Sequence, residues 1–350
     1  MDYLQTDALS VGYNGKTLIS KVALSVQRGR IVTLIGPNGS GKSTILKTII
    51  GQLPSISGSV FLDGADMRSR SRGDVARRMA ILMTARMDPE LMTCRDVVES
   101  GRYPYTGRLG ILSEADREAV DEAMALTSTT ELSGVDFAQI SDGQRQRVML
   151  ARAMSQQPEL LILDEPTAVL TPQEIRALFD ILRGMKERGC CIIIITHKLA
   201  EVMEISDRVT VLRKGESITT AVTKDSTPQE LTEMMVGSAV SLEIDRPKEK
   251  LSEQPVLSVD RLSKKSFEGV DLLRDLSFDL YGGEILGVAG IAGSGQKELC
   301  EIIAGLMKAD SGSVKFSGEE ILGLSPRAIL RRGISMSFIP EDRLGMGLVA

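Results

Sequence analysis

Residues 36–44, Gly-Pro-Asn-Gly-Ser-Gly-Lys-Ser-Thr, fit the pattern Gly-x-x-x-x-Gly-Lys-Ser/Thr in full. The chemistry of that pattern is the chemistry of holding phosphate. Glycines let backbone amides curl around phosphate oxygens, and a helix opening at the end of the loop adds the positive end of its dipole. Lys42 would reach the β- and γ-phosphates of a nucleotide, and the Ser43 hydroxyl would hold Mg²⁺. Further on, Leu-Leu-Ile-Leu-Asp-Glu (160–165) runs an apolar stretch into two acids. Asp164, at the tip, suits a grip on Mg²⁺. Glu165 is placed to accept a proton from an attacking water. A third stretch, Ile-Ser-Asp-Gly-Gln-Arg-Gln-Arg (140–147), places Ser141 and Gly143 before a helix. A short polar loop feeding a helix N-terminus is a second phosphate-binding device.

The elements that must position these groups are legible around them. Ile31–Ile35 reads as a strand, and the segment from Lys42 as a helix closed by Gly51. Leu160–Leu163 and Ile192–Ile195 are short continuous apolar runs of the kind buried in parallel sheets. Between Gln173 and Arg188, apolar Ile175, Leu178, Phe179, Leu182 and Met185 form the stripe of a helix that covers a sheet. Strands alternating with helices predict a doubly wound α/β sheet.

A chain of 350 residues is long enough for two domains. Hydrophobic content of 42% and charged content of 25% suit a folded globular chain. The net charge of −5 shows no basic excess for nucleic acid, so no nucleic-acid partner is expected. No apolar run approaches the roughly 18–20 residues of a membrane span, and the start lacks the basic and apolar regions of a signal peptide. Cys94, Cys190, Cys191 and Cys300 show no metal-ligand spacing and read as buried small apolar residues.

The phosphate loop has an imperfect echo in Gly-Ile-Ala-Gly-Ser-Gly-Gln-Lys (290–297), 254 positions later. The same offset carries Gly29 to Gly283, Gly51 to Gly305, and Ser59–Gly64 to Ser313–Gly318. One offset matching strand, loop, helix and second strand predicts two copies of one nucleotide-binding domain. In the second copy Gln296 stands for Lys42 and Lys297 for Ser43. A cation cannot coordinate Mg²⁺, so this loop is expected to bind nucleotide weakly and hydrolyse little.

The stretch 140–147 resembles the signature sequence of ATP-binding cassette (ABC) ATPases, with Ile140 for the usual leucine and Asp142 for a glycine. In that family the signature of one domain closes over ATP held by another. The resemblance implies an α/β P-loop NTPase fold. An ABC ATPase domain would occupy 1–237, with a helical subdomain over about 85–157. A linker at 238–255 would lead to the N-terminal part of a second ABC domain at 256–350, truncated near the equivalent of residue 96. It further implies ATP held by Tyr13 (on adenine) and by Gly36, Pro37, Asn38, Gly39, Ser40, Gly41, Lys42, Ser43 and Thr44. Mg²⁺ would sit on Ser43 and Asp164. Glu165 and His197, the sole histidine, would be catalytic. Ser141, Asp142, Gly143 and Gln144 would act on a neighbour's ATP. Thr84 stands near the family's usual glutamine, and Thr171 where an aspartate is usual.

Up to about Leu163 the chain resembles importers of iron-siderophore or cobalamin type. From Asp-Glu-Pro-Thr-Ala-Val-Leu-Thr-Pro onward it resembles tandem ATPases of simple-sugar or nucleoside importers, and a recombination junction would fall at the shared 160–167 motif. The implied role is the ATPase of an importer on the cytoplasmic side of the plasma membrane. Its partners would be permease subunits, a solute-binding protein, and a second cassette from a homodimer or another chain. The segment from Thr84 to Gly110 would be the docking face. The alternative is a soluble tandem ABC ATPase acting on ribosomes or another non-transport partner.

Overall fold

The computed structural model describes residues 2–37, 39–83, 91–107, 110–238, 252–266, 269–290, 293–335, 337 and 339. Thr84, Asn38, Arg108, Leu109 and most of the expected linker lie outside this set. The chain divides into two compact units, 1–243 and 244–350.

The first unit opens with β1 (Asp2–Tyr13), β2 (Lys16–Val22), β3 (Ser25–Gln27) and β4 (Ile31–Ile35), followed by α1 (Lys42–Ile49). Then come β5 (Ser57–Leu62), β6 (Ala65–Asp66), α2 (Arg72–Arg78), β7 (Met79–Leu82), α3 (Cys94–Glu99), α4 (Glu114–Leu126) and α5 (Asp142–Ser155). The remainder is β8 (Leu160–Asp164), α6 (Pro172–Glu187), β9 (Cys191–Ile195), α7 (Leu199–Ile205), β10 (Arg208–Arg213), β11 (Glu216–Val222) and α8 (Pro228–Val236).

These strands form one sheet in the order β6-β5-β1-β2-β11-β10-β4-β9-β8-β7, with β3 beside β1. The stretch β10-β4-β9-β8-β7 is parallel, as the alternation of strands and helices predicts. The other side departs from a doubly wound sheet, because β1 pairs antiparallel with β2 and β5, and β10 with β11. Its cause is local. Asn14-Gly15, Asp63-Gly64 and Lys214-Gly215 each carry two consecutive positive φ angles. That is the backbone of the tight turn whose twist matches a right-handed hairpin.

Both faces of the parallel strands are buried. Leu161, Leu163, Ile192 and Ile194 enter a core with α3, α4, α5 and α6. Leu160, Ile162, Cys191, Ile193 and Ile195 enter a second core with Ile45, Leu46 and Ile49 of α1. This period of two explains why the sequence shows continuous apolar runs here. The apolar stripe of α6 buries Leu178, Phe179, Leu182 and Met185 as its spacing predicts. Cys94, Cys190 and Cys191 are buried, and burial pushes the Cys190 and Cys191 thiols up to about 12. Cys300 corrects the sequence expectation: it is exposed, on the outer face of its helix.

The second unit holds β12 (Pro255–Lys265), β13 (Asp271–Tyr281), α9 (Gln296–Ile303), β14 (Ser311–Phe316), β15 (Glu319–Glu320) and α10 (Pro326–Arg331). Its sheet order is β13-β12-β14-β15, over a small core that includes Val259, Leu262, Leu299, Ile302 and Val314. α9 and β14 stand at the repeat offset from α1 and β5, end for end. Left-handed backbone recurs at the same offset even without glycine, at Lys21 and Asp275 and at Asp63 and Ser317. One element differs. Residues 285–289 stand at the repeat offset from β4 but are not a strand, and Ile285 is 97% exposed. β4 is a strand because β10 and β9 flank it.

Candidate functional site

β4 delivers the chain into the loop that opens α1. Gly36 packs so closely on the Leu212 carbonyl that a side chain has no room. Gly41 caps α1 with φ 93°, in the left-handed region that favours glycine. Lys42 is 7% exposed; its ammonium folds over the loop, donating to the Gly36 carbonyl at 2.7 Å and the Pro37 carbonyl at 3.0 Å. Burial pushes this ammonium below the usual lysine range, and the facing carboxylates of Glu165 and Asp164 oppose that shift. The loop lysine and the two acids, far apart in sequence, thus share one electrostatic site.

Two features fit this loop to a phosphate. The buried Ser40 hydroxyl has no hydrogen-bond partner among the described residues. The loop's own carbonyls hold Lys42 where a phosphate oxygen would compete for it. Ser43 is exposed on the first turn of α1, and Asp164 is 6% exposed at the tip of β8. A hydroxyl and a carboxylate are hard oxygen donors, the type Mg²⁺ takes. Tyr13 ends β1, 47% exposed, with its hydroxyl 3.4 Å from that of Thr44. An exposed ring so tethered to the loop can offer its face to a base.

Glu165 leaves β8 with φ 50°, a conformation unusual for a non-glycine residue, and its amide donates to the Ile195 carbonyl at 2.9 Å. The turn it makes brings its carboxylate to His197, whose Nδ1 lies 3.0 Å from Oε1 and 2.9 Å from Oε2. An ionised carboxylate only accepts hydrogen bonds. With an ionised Glu165, Nδ1 is the donor of this bond, which leaves Nε2 of a neutral ring as an acceptor. His197 is well exposed and Glu165 partly so, at 58% and 21% of their side chains.

Ser141 caps α5. Its hydroxyl accepts from the Gln144 amide at 3.3 Å, and the Ser141 amide donates to Gln144 Oε1 at 2.9 Å. This cap uses the hydroxyl as acceptor and leaves its proton to donate. Asp142 opens the helix, and a Cβ on Gly143 would meet the Glu174 carboxylate at 3.1 Å. Three residues on, Gln146 donates to the Pro166 carbonyl at 3.1 Å, tying this helix to the turn after Glu165. Thr171 is structural as well, since it caps α6 while Glu174 closes the reciprocal bond. In the second unit the Gln296 amide lies against Gly290, and the Lys297 ammonium is 3.9 Å from Glu301 Oε1.

Sequence reasoning missed Glu201. It is 8% exposed and accepts hydrogen bonds from Thr167 and Thr196, which flank the Glu165 and His197 turns. The one sequence signal was an acid four residues after the histidine, which reads equally well as a solvated helix charge.

The ABC transporter family model matches residues 19–168 and 273–345, and the starts of the two stretches are one repeat offset apart. A glucose import ATP-binding protein of Haloferax volcanii, TsgD13, is 35% identical over 97% of this chain and 66% of its own length. The nucleoside import ATP-binding protein NupA of Lactococcus lactis is 37% identical over 94% of this chain and 64% of its own. The guanosine import ATP-binding protein NupO of Bacillus subtilis is 38% identical over 94% and 64%. The chain thus spans about two thirds of the length of these relatives. Because each alignment covers nearly the whole chain, the likeness to sugar and nucleoside import proteins extends to the part before Leu163. A solved ATP-binding subunit of an ABC transporter superposes with TM-score 0.61 at 27% identity, covering 67% of this chain and 98% of that one. A nucleotide-free ATP-binding cassette superposes with TM-score 0.59 at 22% identity, over 68% and 96%, a likeness of fold. A phosphate-type loop on β4, two acids closing on its lysine and a family match across both copies lead to one assignment: the chain belongs to the ABC transporter family, among its ATP-binding proteins.

Proposed function

We propose that this chain binds and hydrolyses ATP to drive a sugar- or nucleoside-type importer through separate membrane subunits. The observation that carries the reading is the convergence of Lys42, Asp164, Glu165 and His197 at the ends of β4, β8 and β9. In it, the amides of residues 36–44, Asn38 included, wrap the phosphates, Lys42 neutralises the β- and γ-oxygens, and Tyr13 stacks on the base. Ser43 and Asp164 would hold Mg²⁺, which supplies positive charge to the β- and γ-phosphate oxygens. Glu165 takes the proton of the attacking water, and His197 steadies that carboxylate while its Nε2 edge faces the γ-phosphate. Ser141, Asp142, Gly143 and Gln144 serve ATP on a second cassette, with the Ser141 hydroxyl proton as donor. Glucose, nucleoside and guanosine import by the relatives supports the cargo class.

A cavity of about 1380 Å³ in the first unit supports a membrane-subunit partner. Met67, Met79, Met92, Tyr103 and Met149 line it, and Tyr103 is 72% exposed. Methionine adapts to an inserted apolar segment, and this wall overlaps the face expected from the sequence. Among the described residues no helix is long and apolar enough to cross a membrane, so membrane association would run through such a partner.

The test is Glu165→Gln. Removing the base should lower kcat by ~10²–10⁴-fold with ATP still bound, and chelating Mg²⁺ should stop turnover in the wild type. Turnover unchanged in this variant would end the hydrolytic reading.

A further inference from the structure

We infer that Thr167 and Glu201 form a positioning clamp for the Glu165–His197 pair, locking the turn after β8 to the turn after β9; the inference rests on the hydrolytic reading above. Glu165 and His197 cannot hold one another in place by burial, since His197 is more than half exposed. Their strands pair as far as Asp164 and Ile195, and the ladder stops there. Beyond it, the connection is made by a buried carboxylate.

Glu201 lies on the first turn of α7. Its Oε1 and Oε2 accept from the Thr167 hydroxyl at 2.7 and 2.8 Å, two residues after Glu165. Its Oε2 also accepts from the Thr196 hydroxyl at 3.0 Å, immediately before His197. The Thr196 hydroxyl in turn accepts from the Lys198 amide at 3.1 Å, which fixes the chain on the far side of His197. The Lys198 ammonium sits 3.2 Å from Glu201 Oε1 and donates to the Thr167 carbonyl at 3.0 Å. Thr167 is 1% exposed and Thr196 1% exposed. Around Thr167, Thr196 and Glu201, all buried, an unpaired hydroxyl or carboxylate is costly, which favours the arrangement that keeps both threonine hydroxyls on Glu201. That arrangement sets the separation of the two turns, and with it the reach of Nδ1 to the Glu165 carboxylate.

Thr167→Val removes the hydroxyl and keeps the shape; Thr167→Ser restores the hydroxyl. In the full chain, Thr167→Val should lower kcat by about 10- to 100-fold, the cost of misplacing a reacting group, with ATP affinity held within about twofold. Thr167→Ser should recover most of the rate. In a His197→Ala background Thr167→Val should cost little more, because the pair it positions is already gone. The single histidine gives a readout independent of turnover: its C2–H proton resonance should move in Thr167→Val toward its position in Glu165→Gln. An unmoved resonance, or a kcat loss equal in the presence and absence of His197, overturns the clamp. If Glu165→Gln leaves kcat intact, the hydrolytic reading fails, and the resonance alone decides the clamp. Should Thr167→Val fail to fold, Glu201→Gln is judged by the same kinetic split and resonance.

Discussion

Gly41→Ala tests whether the phosphate loop is shaped by a position that only glycine fills. Two costs add. At φ 93° an L-residue pays about 1–2 kcal/mol for left-handed backbone. The new Cβ would also fall within the envelope of Ile19 Cδ1, 2.8 Å from Ile19 Cγ1 and 3.4 Å from Leu18 Cδ2. Ile19 is 1% exposed in the core beneath α1, so it cannot swing into solvent. Overfilling a packed core costs ~1–3 kcal/mol. Together the loss is about 2–5 kcal/mol, or roughly 5–20 °C in melting temperature for a unit of this size. The chain has no tryptophan, so far-UV circular dichroism is the suitable probe. On the proposed function, the first unit's transition is the one that MgATP should raise. Ile19→Val deletes Cδ1, the atom in the way, at a cost of about 0.5–1.5 kcal/mol on its own. The double variant should therefore be more stable than the sum of the singles by ~1–2 kcal/mol, while the backbone cost stays. Strict additivity, or a Gly41→Ala melt within about 2 °C of wild type, would refute this reasoning.

Asp207 pins the start of β4: its carboxylate accepts from the Ile31 amide at 2.8 Å, Lys186 at 2.7 Å and Arg30 at 3.0 Å. Burial alone would raise its pKa, but these three donors outweigh it and hold the carboxyl below the usual range. The unfolded chain then binds the proton more readily, so the contribution is complete above about pH 4 and fades as pH falls toward the lower native value. Asp207→Asn should cost about 1–3 kcal/mol at pH 7, and chemical denaturation at pH 3 should show a smaller gap from wild type. For the thiols, Ellman titration of native protein should label Cys300 quickly. Cys94, Cys190 and Cys191 should react only on unfolding, because burial suppresses their thiolates.

The parts of this fold written in local pattern were readable in advance. The strand, loop and helix around Lys42, the buried runs of β8 and β9, and the stripe of α6 each depend on residues within one or two turns of chain. The repeat offset was equally plain, since two related stretches keep related backbone. The antiparallel side of the sheet was also signalled, by Asn14-Gly15 and Lys214-Gly215, but its weight against the parallel strands depends on which edges meet. Long-range convergence was hidden. Glu201 looks like any helix acid until Thr167 and Thr196 arrive from the turns after two separate strands. Thr171 reads as a departure from the family pattern, while its cap on α6 needs the Glu174 side chain to fold back. Residues 285–289 stand at β4's place in the repeat but are not a strand, so position in the repeat alone did not decide the element.

The place of β4 in the sheet sets a timetable for synthesis. It emerges early, yet its two partners are β9 and β10, near the far end of the first unit. A ribosome making about 5–20 residues per second needs on the order of 10–30 s to bridge that gap. Throughout that interval an apolar strand and its glycine loop wait unpaired, and a chaperone has time to bind them before any nucleotide can.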